Sequence, residues 1–316
     1  MLHLLPRKRL PVAGHYAGPA VGLKDPFPAP RWHGRYDMIP AGHGEQGGMK
    51  LQGQVIWITG ASSGVGEGMA RVFHREGASL VLSARRQAEL ERVKASCQGP
   101  GTIDILPFDI CDAAARAAAA QEVLSRHPRL DVLVNNAGIG QRAAARDTTL
   151  DVVRRIMEID FFAPVALAGL VLPRMIEQQS GRFVVTSSVA GKHAVPHHSA
   201  YCAAKHALHG YFDTLRVEHL RDNIHVTLLV IAGIRSNVFR HALTGSGAEY
   251  GPSSWDNRNG MPAEDCAALV VDGMLANEQE LVIGIDQALQ AMRLRERDPQ
   301  AFLERMAGMM QWLESR

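Results

Sequence analysis

The sequence predicts an α/β protein, a doubly wound parallel sheet of about seven strands with helices on both faces, preceded by an extension of different composition. Three observations carry that reading. Short apolar or β-branched runs alternate with longer amphipathic stretches, the runs are apolar throughout, and the first of them enters a helix through a turn of small residues. A half-solvated antiparallel sheet would show polar alternation within its strands instead.

The expected strands are Val55–Thr59, Leu80–Ser83, Ile103–Phe108, Val132–Asn135, Phe183–Ser187, His225–Ile231 and Leu281–Ile285. The expected helices between them include Gly66–Glu76, Gln87–Cys97, Ala113–Ser125, Thr149–Gln179 and Tyr201–Leu220, and Arg293–Arg297 with Trp312-Leu313 reads as a charged amphipathic helix near the end. We find no internal repeat. One domain therefore spans residues 50–316, and a chain of 316 residues buries an adequate core without metals or disulfides.

Residues 1–49 read differently. Pro at 6, 11, 19, 26, 28, 30 and 40 denies this segment regular backbone pairing, so it is expected to be disordered or loosely draped. Met49 directly precedes the ordered pattern, which makes it a candidate alternative start. The first 50 residues carry a net +4 and the remainder −2, so the overall +2 belongs to the head. The body offers no electrostatic case for nucleic acid.

Cys97, Cys111, Cys202 and Cys266 form no metal-spaced pair, and no signal-peptide pattern precedes them. Reduced thiols in a cytoplasmic protein are expected. The longest apolar run, Phe161–Leu172, has 12 residues and contains Pro164, which is short of the about 20 needed to span a bilayer. No membrane span is expected.

The first strand runs into Thr59-Gly60-Ala61-Ser62-Ser63-Gly64-Val65-Gly66 and then a helix. Such a turn brings bare backbone N–H groups and a positive helix end to a pyrophosphate, although loops also use glycine without any ligand. The second strand ends Ser83-Ala84-Arg85-Arg86, where a dinucleotide site reads the ribose. An acid there would bond the 2′-hydroxyl of NAD and repel the 2′-phosphate of NADP. Two arginines stand there instead, which favours NADP (NADPH) as cofactor, unless they are simply surface charges at a strand end.

After the fifth strand come Thr186-Ser187-Ser188 and then Tyr201-Cys202-Ala203-Ala204-Lys205. Tyr201 and Lys205 share one helical face. A phenol of pKa about 10 is a poor acid or base at neutral pH, and a neighbouring ammonium lowers that value by stabilising phenolate. With a serine hydroxyl to polarise a carbonyl oxygen, the set suits proton transfer coupled to hydride transfer.

In Thr59-Gly60-x-x-x-Gly64-x-Gly66, Asn135-Asn136-Ala137-Gly138, Ser188 and Tyr201-x-x-x-Lys205, in that order and spacing, the chain resembles the short-chain dehydrogenase/reductase family over residues 51–316. The resemblance implies a Rossmann-type fold, a nicotinamide cofactor and interconversion of an alcohol with a carbonyl. It implies that Tyr201 is the acid and base, that Lys205 lowers its pKa and holds the nicotinamide ribose, and that Ser188 orients the substrate oxygen. Cofactor contacts are implied for Gly60, Ser62, Ser63, Gly64, Val65 and Gly66, for Arg85 and Arg86, for Asp109 at the adenine, and for Asn136, Ala137 and Gly138. Ile234 and Ser236 after the sixth strand complete that set. Pairing into homodimers or homotetramers through the Tyr201–Leu220 helix is also implied, although burial in the chain's own core would give the same apolar pattern.

Two departures stand out. The family often has an Asn on the fourth helix, where a bent backbone holds a water that relays protons from the lysine; here the residue is Asp160. A carboxylate accepts hydrogen bonds but cannot donate as an amide does, so proton relay is expected to be altered. The usual Pro-Gly after the sixth strand is replaced by Ile231-Ala232, which leaves that loop's path open.

His193, His197 and His198 lie between Ser188 and Tyr201 without a carboxylate or cysteine to complete a ligand set, so no metal is expected. Cys202 reads as a small buried hydrophobe. Residues 238–260 occupy the family's mobile lid, and Phe239, Leu243, Tyr250 and Trp255 there suggest an apolar substrate or simply pack the segment down. The leading expectation is an NADP(H)-dependent oxidoreductase. Alternatives are a 3-oxoacyl thioester reductase and an NADP-binding scaffold whose chemistry has lapsed.

Overall fold

Strands that are apolar on both sides need cover on both faces, and the chain folds accordingly. The computed structural model describes residues 49–236, 238–251 and 260–314. Its strands are β1 (Val55–Thr59), β2 (Ser79–Ser83), β3 (Ile103–Ile105), β4 (Val132–Asn135), β5 (Gly181–Thr186), β6 (Ile224–Ala232) and β7 (Glu280–Gly284). They pair in parallel in the order β3-β2-β1-β4-β5-β6-β7. The helices are α1 (Gly64–Arg75), α2 (Gln87–Ser96), α3 (Ala113–Arg126), α4 (Leu150–Met157), α5 (Ala163–Glu177), α6 (Ser199–Glu218), α7 (Ala263–Leu275), α8 (Asp286–Arg297) and α9 (Pro299–Glu314).

Successive side chains of one strand enter opposite cores. Ile56 and Ile58 join Met69, Phe73, Leu90 and Val270 under α1, α2 and α7, whereas Trp57 points the other way into the core of α3, α5 and α6. Phe183 of β5 reaches that second core, where its ring lies 6.2 Å from that of Phe212 on α6. The sheet is pinned at the start of β4, where the Asp131 carboxylate accepts from Val55 N–H at 2.8 Å and from the Arg129 guanidinium.

Two boundaries differ from expectation for identifiable reasons. β3 ends at Ile105 rather than Phe108 because Pro107 has no N–H for the ladder, although Leu106 and Phe108 still donate to carbonyls of Leu82 and Ala84. The stretch expected as one helix over Thr149–Gln179 is continuous from Leu150 to Glu177 but widens into a π-turn at Glu158–Phe162. Pro164 has no N–H to return to the preceding turn, and Ala163 N–H reaches back to the Glu158 carbonyl. This 28-residue helix is long and apolar enough to cross a membrane by length and composition. Its apolar side, with Leu167, Ala168, Val171 and Met175, closes the sheet beside α3 and α6. Helix α7 was not among the expected elements, and the C-terminal stretch forms two helices rather than one. Apart from Met49, the expectation for residues 1–49 lies outside the described residues.

Because Phe183 is fully buried between the central strand and α6, Phe183→Ala is expected to cost about 3–5 kcal/mol of stability, read as a lower midpoint in urea unfolding.

Candidate functional site

In an open parallel sheet a crevice forms where neighbouring strands send their connections in opposite directions. Here those strands are β1, which leads to β2 on one side, and β4, which leads to β5 on the other. A cavity of about 830 Å3 opens at their carboxyl ends. Thr59, Asn136 and Thr186 knot three strand ends below it. The Thr59 hydroxyl donates to the Val134 carbonyl at 3.0 Å and accepts from the N–H groups of Asn136 and Ala137. The Asn136 amide donates to the carbonyls of Thr59 and Gly60, while its Oδ1 accepts from the Thr186 hydroxyl at 3.1 Å. Asn136 thus both lines the cavity and supports the sheet.

The glycine turn is sterically committed. Gly60 and Gly64 have φ of +66° and +59°, and a Cβ on Gly60 would sit 2.8 Å from Ala137 Cα. On Gly66 it would lie 2.3 Å from the Gly60 carbonyl oxygen. Gly66 therefore packs beneath the turn, while Gly60, Ser62, Ser63, Gly64 and Val65 line the cavity. Helix α1 starts without a side-chain cap on Ser63, which leaves its first-turn donors for an anion. Exposed Arg85 and Arg86 line the cavity beyond β2. Arg92 of α2, which the sequence reading missed, donates to the Ser62 carbonyl at 3.2 Å and pairs with Glu67, tying the turn to α2. Asp109, after the neighbouring β3, also lines the cavity and accepts from Cys111 N–H.

The loop after β6 keeps a defined path without the usual Pro-Gly. Met261 N–H donates to the Gly233 carbonyl, Arg235 N–H to the Met261 carbonyl, and the Arg235 guanidinium to the Gly260 carbonyl. Ile234 is buried by the bridge to Met261, and Ser236 is brought against Gly64, where an added Cβ would lie 3.0 Å from Ser236 Cβ.

Ser188, Tyr201, Lys205 and Asp160 converge on the other end of the cleft. Tyr201 is 8% exposed, and Lys205 Nζ lies 5.5 Å from its ring centroid. The ammonium donates to the Thr186 carbonyl at 2.9 Å and stands 3.7 Å from Asp160 Oδ2. Asp160 sits in the π-turn, buried, with Oδ1 accepting from Ile139 N–H at 2.8 Å and Oδ2 without a hydrogen bond. Burial raises its pKa, outweighing the nearby Lys205 and the Ile139 hydrogen bond. Burial also drives the Tyr201 phenol above its ordinary value, and Asp160 adds to that, against the hydrogen bond from Ser188. The expected lowering by lysine does not appear; Ser188 is the group that lowers it. Ser188 Oγ accepts from Ala190 N–H and is hydrogen-bonded to Tyr201, and Ser188 is not among the residues that line the cavity.

A further array lies beneath Ser188. Ser187 Oγ is 2.9 Å from His209 Nε2, His209 Nδ1 is 3.6 Å from Glu280, and Lys192 pairs with Glu280 at 2.7 Å. Burial lowers the His209 pKa, and the imidazole braces the serine. A nucleophile needs access to substrate, and Ser187 is 1% exposed and outside the cavity lining.

Ile139, Val152, Ile159, Val238 and Leu243 also line the cavity, with Arg155, His241 and Glu249. Of the other apolar candidates, Phe239 packs edge-on against His198, Tyr250 lies under Arg142, and Trp255 falls outside the described residues. His193 packs on Phe302 of α9, and burial pushes His198 down to about 4. Among the described residues, no three His, Cys, Asp or Glu side chains gather as metal ligands. Cys202 is half-buried, with its thiol pushed up by burial.

Comparison with known proteins agrees with this geometry. Residues 54–245 match the family described as short chain dehydrogenase. The chain is 40% identical over 258 residues to the dehydrogenase/reductase SDR family protein 7-like of Anopheles gambiae, covering 80% of this chain and 81% of that protein. A short-chain dehydrogenase from Streptomyces avermitilis superposes with a TM-score of 0.68 at 27% identity, over 82% of this chain and 99% of that one. A metagenomic short-chain oxidoreductase solved in complex with NADP gives a TM-score of 0.60 at 28% identity, over 75% and 99% of the two chains.

A methyl group on Gly66 meets backbone that cannot retreat. Gly66→Ala is expected to lose about 1–3 kcal/mol of stability, measured by chemical denaturation, and to weaken dinucleotide binding measured by calorimetry.

Proposed function

Because the chain belongs to the short-chain dehydrogenase/reductase family, we propose that it is an NADP(H)-dependent oxidoreductase that interconverts a small-molecule alcohol and carbonyl. The observation that carries the reading is the pairing of Tyr201, hydrogen-bonded to Ser188, with Lys205 at a cavity that the bare-backbone glycine turn also lines.

The fit to the dinucleotide rests on the cradle. A side chain at Gly60 or Gly64 would fill it, and the rim beyond β2 carries Arg85 and Arg86 with no acid between them. In this reading the N–H groups of Ser62, Ser63 and Val65 hold the pyrophosphate, Arg85 and Arg86 pair with the 2′-phosphate, and Asp109 faces the adenine. Asn136, Ala137, Gly138, Ile234 and Ser236 enclose the nicotinamide half. When bound, the cofactor supplies or accepts the hydride.

Tyr201 then gives its phenolic proton to the carbonyl oxygen in reduction and removes it from the alcohol in oxidation. Ser188 holds the Tyr201 hydroxyl through the hydrogen bond between them, and Lys205 holds the nicotinamide ribose with the ammonium that Thr186 and Asp160 position. An apolar substrate is supported by Ile139, Val152, Ile159 and Leu243 at the substrate end. The mixed charges of Asp151, Arg155, His241 and Glu249 around it do not favour an acidic carrier. Exposed Phe162, Leu170 and Tyr211 on the helices that flank the cleft support homo-oligomer formation.

The test is a panel of ketones and aldehydes run with NADPH and with NADH, followed by cofactor absorbance. NADPH consumption that falls about 100-fold or more in Tyr201→Phe is expected. Tight NADPH binding without consumption would instead mark a protein whose chemistry has lapsed.

The Asp160 carboxylate is one of the causes that raise the Tyr201 pKa, so an amide in its place makes the base form available at lower pH. Asp160→Asn is expected to keep or raise turnover and to move the ascending limb of alcohol oxidation, kcat/KM against pH, toward acid. A loss of about 100-fold would mean that the carboxylate itself takes part.

A further inference from the structure

The helix that presents Tyr201 begins without a cap of its own. His198 occupies the position where a short polar side chain would ordinarily accept from the second and third helical N–H groups, and it makes no such bond. Those N–H groups belong to Ala200 and Tyr201, both buried, and an unpaired buried donor is costly. They are nevertheless satisfied. Gln141 Oε1 accepts from Ala200 N–H at 2.8 Å and from Tyr201 N–H at 3.4 Å, across 59 and 60 residues of chain.

The rest of Gln141 is equally engaged. Its side chain is fully buried, and Nε2 donates to Thr148 Oγ1 at 2.8 Å, with the Ala143 carbonyl and Ser199 Oγ at 3.4 Å. Thr148 uses its own proton on the Ala144 carbonyl, so it accepts from the amide and the orientation of Gln141 is determined. The backbone around Gln141 is held by the substrate-side segment. Leu243 N–H donates to the Gly140 carbonyl at 2.9 Å, Arg142 N–H to the Leu243 carbonyl at 2.8 Å, and Ala143 N–H to the His197 carbonyl at 3.0 Å. Leu243 itself lines the cavity. One amide therefore joins the first turn of the Tyr201 helix to the segment that closes the substrate end.

We propose that Gln141 is a positioning residue, a cap supplied from the loop after β4 that sets Tyr201 in place and couples it to docking of the segment around Leu243. Its activity arm rests on the redox reading above; its structural arm does not. Gln141→Met keeps the length and removes both polar atoms. Gln141→Glu keeps an oxygen that accepts from the two N–H groups, at a helix end that favours negative charge, and loses the bond to Thr148.

With a carbonyl substrate from the panel, Gln141→Met is expected to lower kcat about 10- to 100-fold while the Kd for NADPH changes less than about twofold. Gln141→Glu is expected to recover most of that kcat and to raise the substrate KM. Amide hydrogen exchange over residues 199–203 is expected to quicken about tenfold or more in Gln141→Met and not in Gln141→Glu. Should Gln141→Met not fold, Gln141→Asn, one methylene too short to reach Ala200, takes its place with the same expectations. Unchanged exchange in the Met or Asn variant overturns the cap. Faster exchange with kcat within about threefold of wild type overturns the positioning role, as does a Glu variant no better than Met. If the wild-type protein turns over no substrate, the redox reading fails and the exchange comparison alone decides the cap.

Discussion

The hydroxyl of Thr59 and the amide of Asn136 hold together the carboxyl ends of β1, β4 and β5, and the rest of the site is arranged around that knot. Parallel strands alone would bring these ends near each other, but near is not enough for a turn as tight as Gly60–Gly66. The Asn136 amide donates to the carbonyls of Thr59 and Gly60, fixing where the chain leaves β1, and its oxygen takes the Thr186 proton, fixing where β5 ends. Thr186 in turn presents the carbonyl that receives the Lys205 ammonium. The glycine turn and the Lys205 ammonium are thus joined by one continuous chain of hydrogen bonds. Thr59, Asn136 and Thr186 are short side chains, which keeps the entropy lost on ordering them small.

Charge beside Tyr201 is balanced unusually. Lys205 faces a carboxylate where the family often has an amide, and Asp160 is deep enough that burial still holds its pKa above the ordinary carboxylate range. The π-turn accounts for its approach. By widening the helix, it turns Asp160 toward Ile139 N–H on one side and Lys205 on the other. A regular helix would carry the residue on a different bearing.

Much of this was legible in the sequence because it is local. Apolar runs of strand length, glycines in a strand-to-helix turn, and Tyr201 four residues from Lys205 all report their own surroundings. The errors have equally local causes. Pro107 shortens β3, and α7 (Ala-Glu-Asp-Cys-Ala-Ala-Leu-Val-Val-Asp-Gly-Met-Leu) hides because its apolar core is as short as a strand and shows little periodic contrast. Gln141, Arg92 and His209 were invisible for a different reason. Their partners lie far along the chain, and an isolated glutamine, arginine or histidine carries no pattern that announces a distant contact. The same holds for Ser187: beside Ser188 it reads as a duplicate, yet in the fold it is the braced residue and Ser188 the one that meets Tyr201.

The clamp between Val55 and Asp131 joins residues 76 apart in the chain. That interval holds two strands beyond β1 and three helices, so pairing β4 beside β1 closes a loop of that length and opens the crevice. A nascent chain that has made only the glycine turn, Arg85 and Asp109 has three walls of a dinucleotide site and no floor. Assembly of the binding cleft is therefore a long-range event in folding, governed by closure of a large loop rather than by the readiness of its conspicuous local motifs.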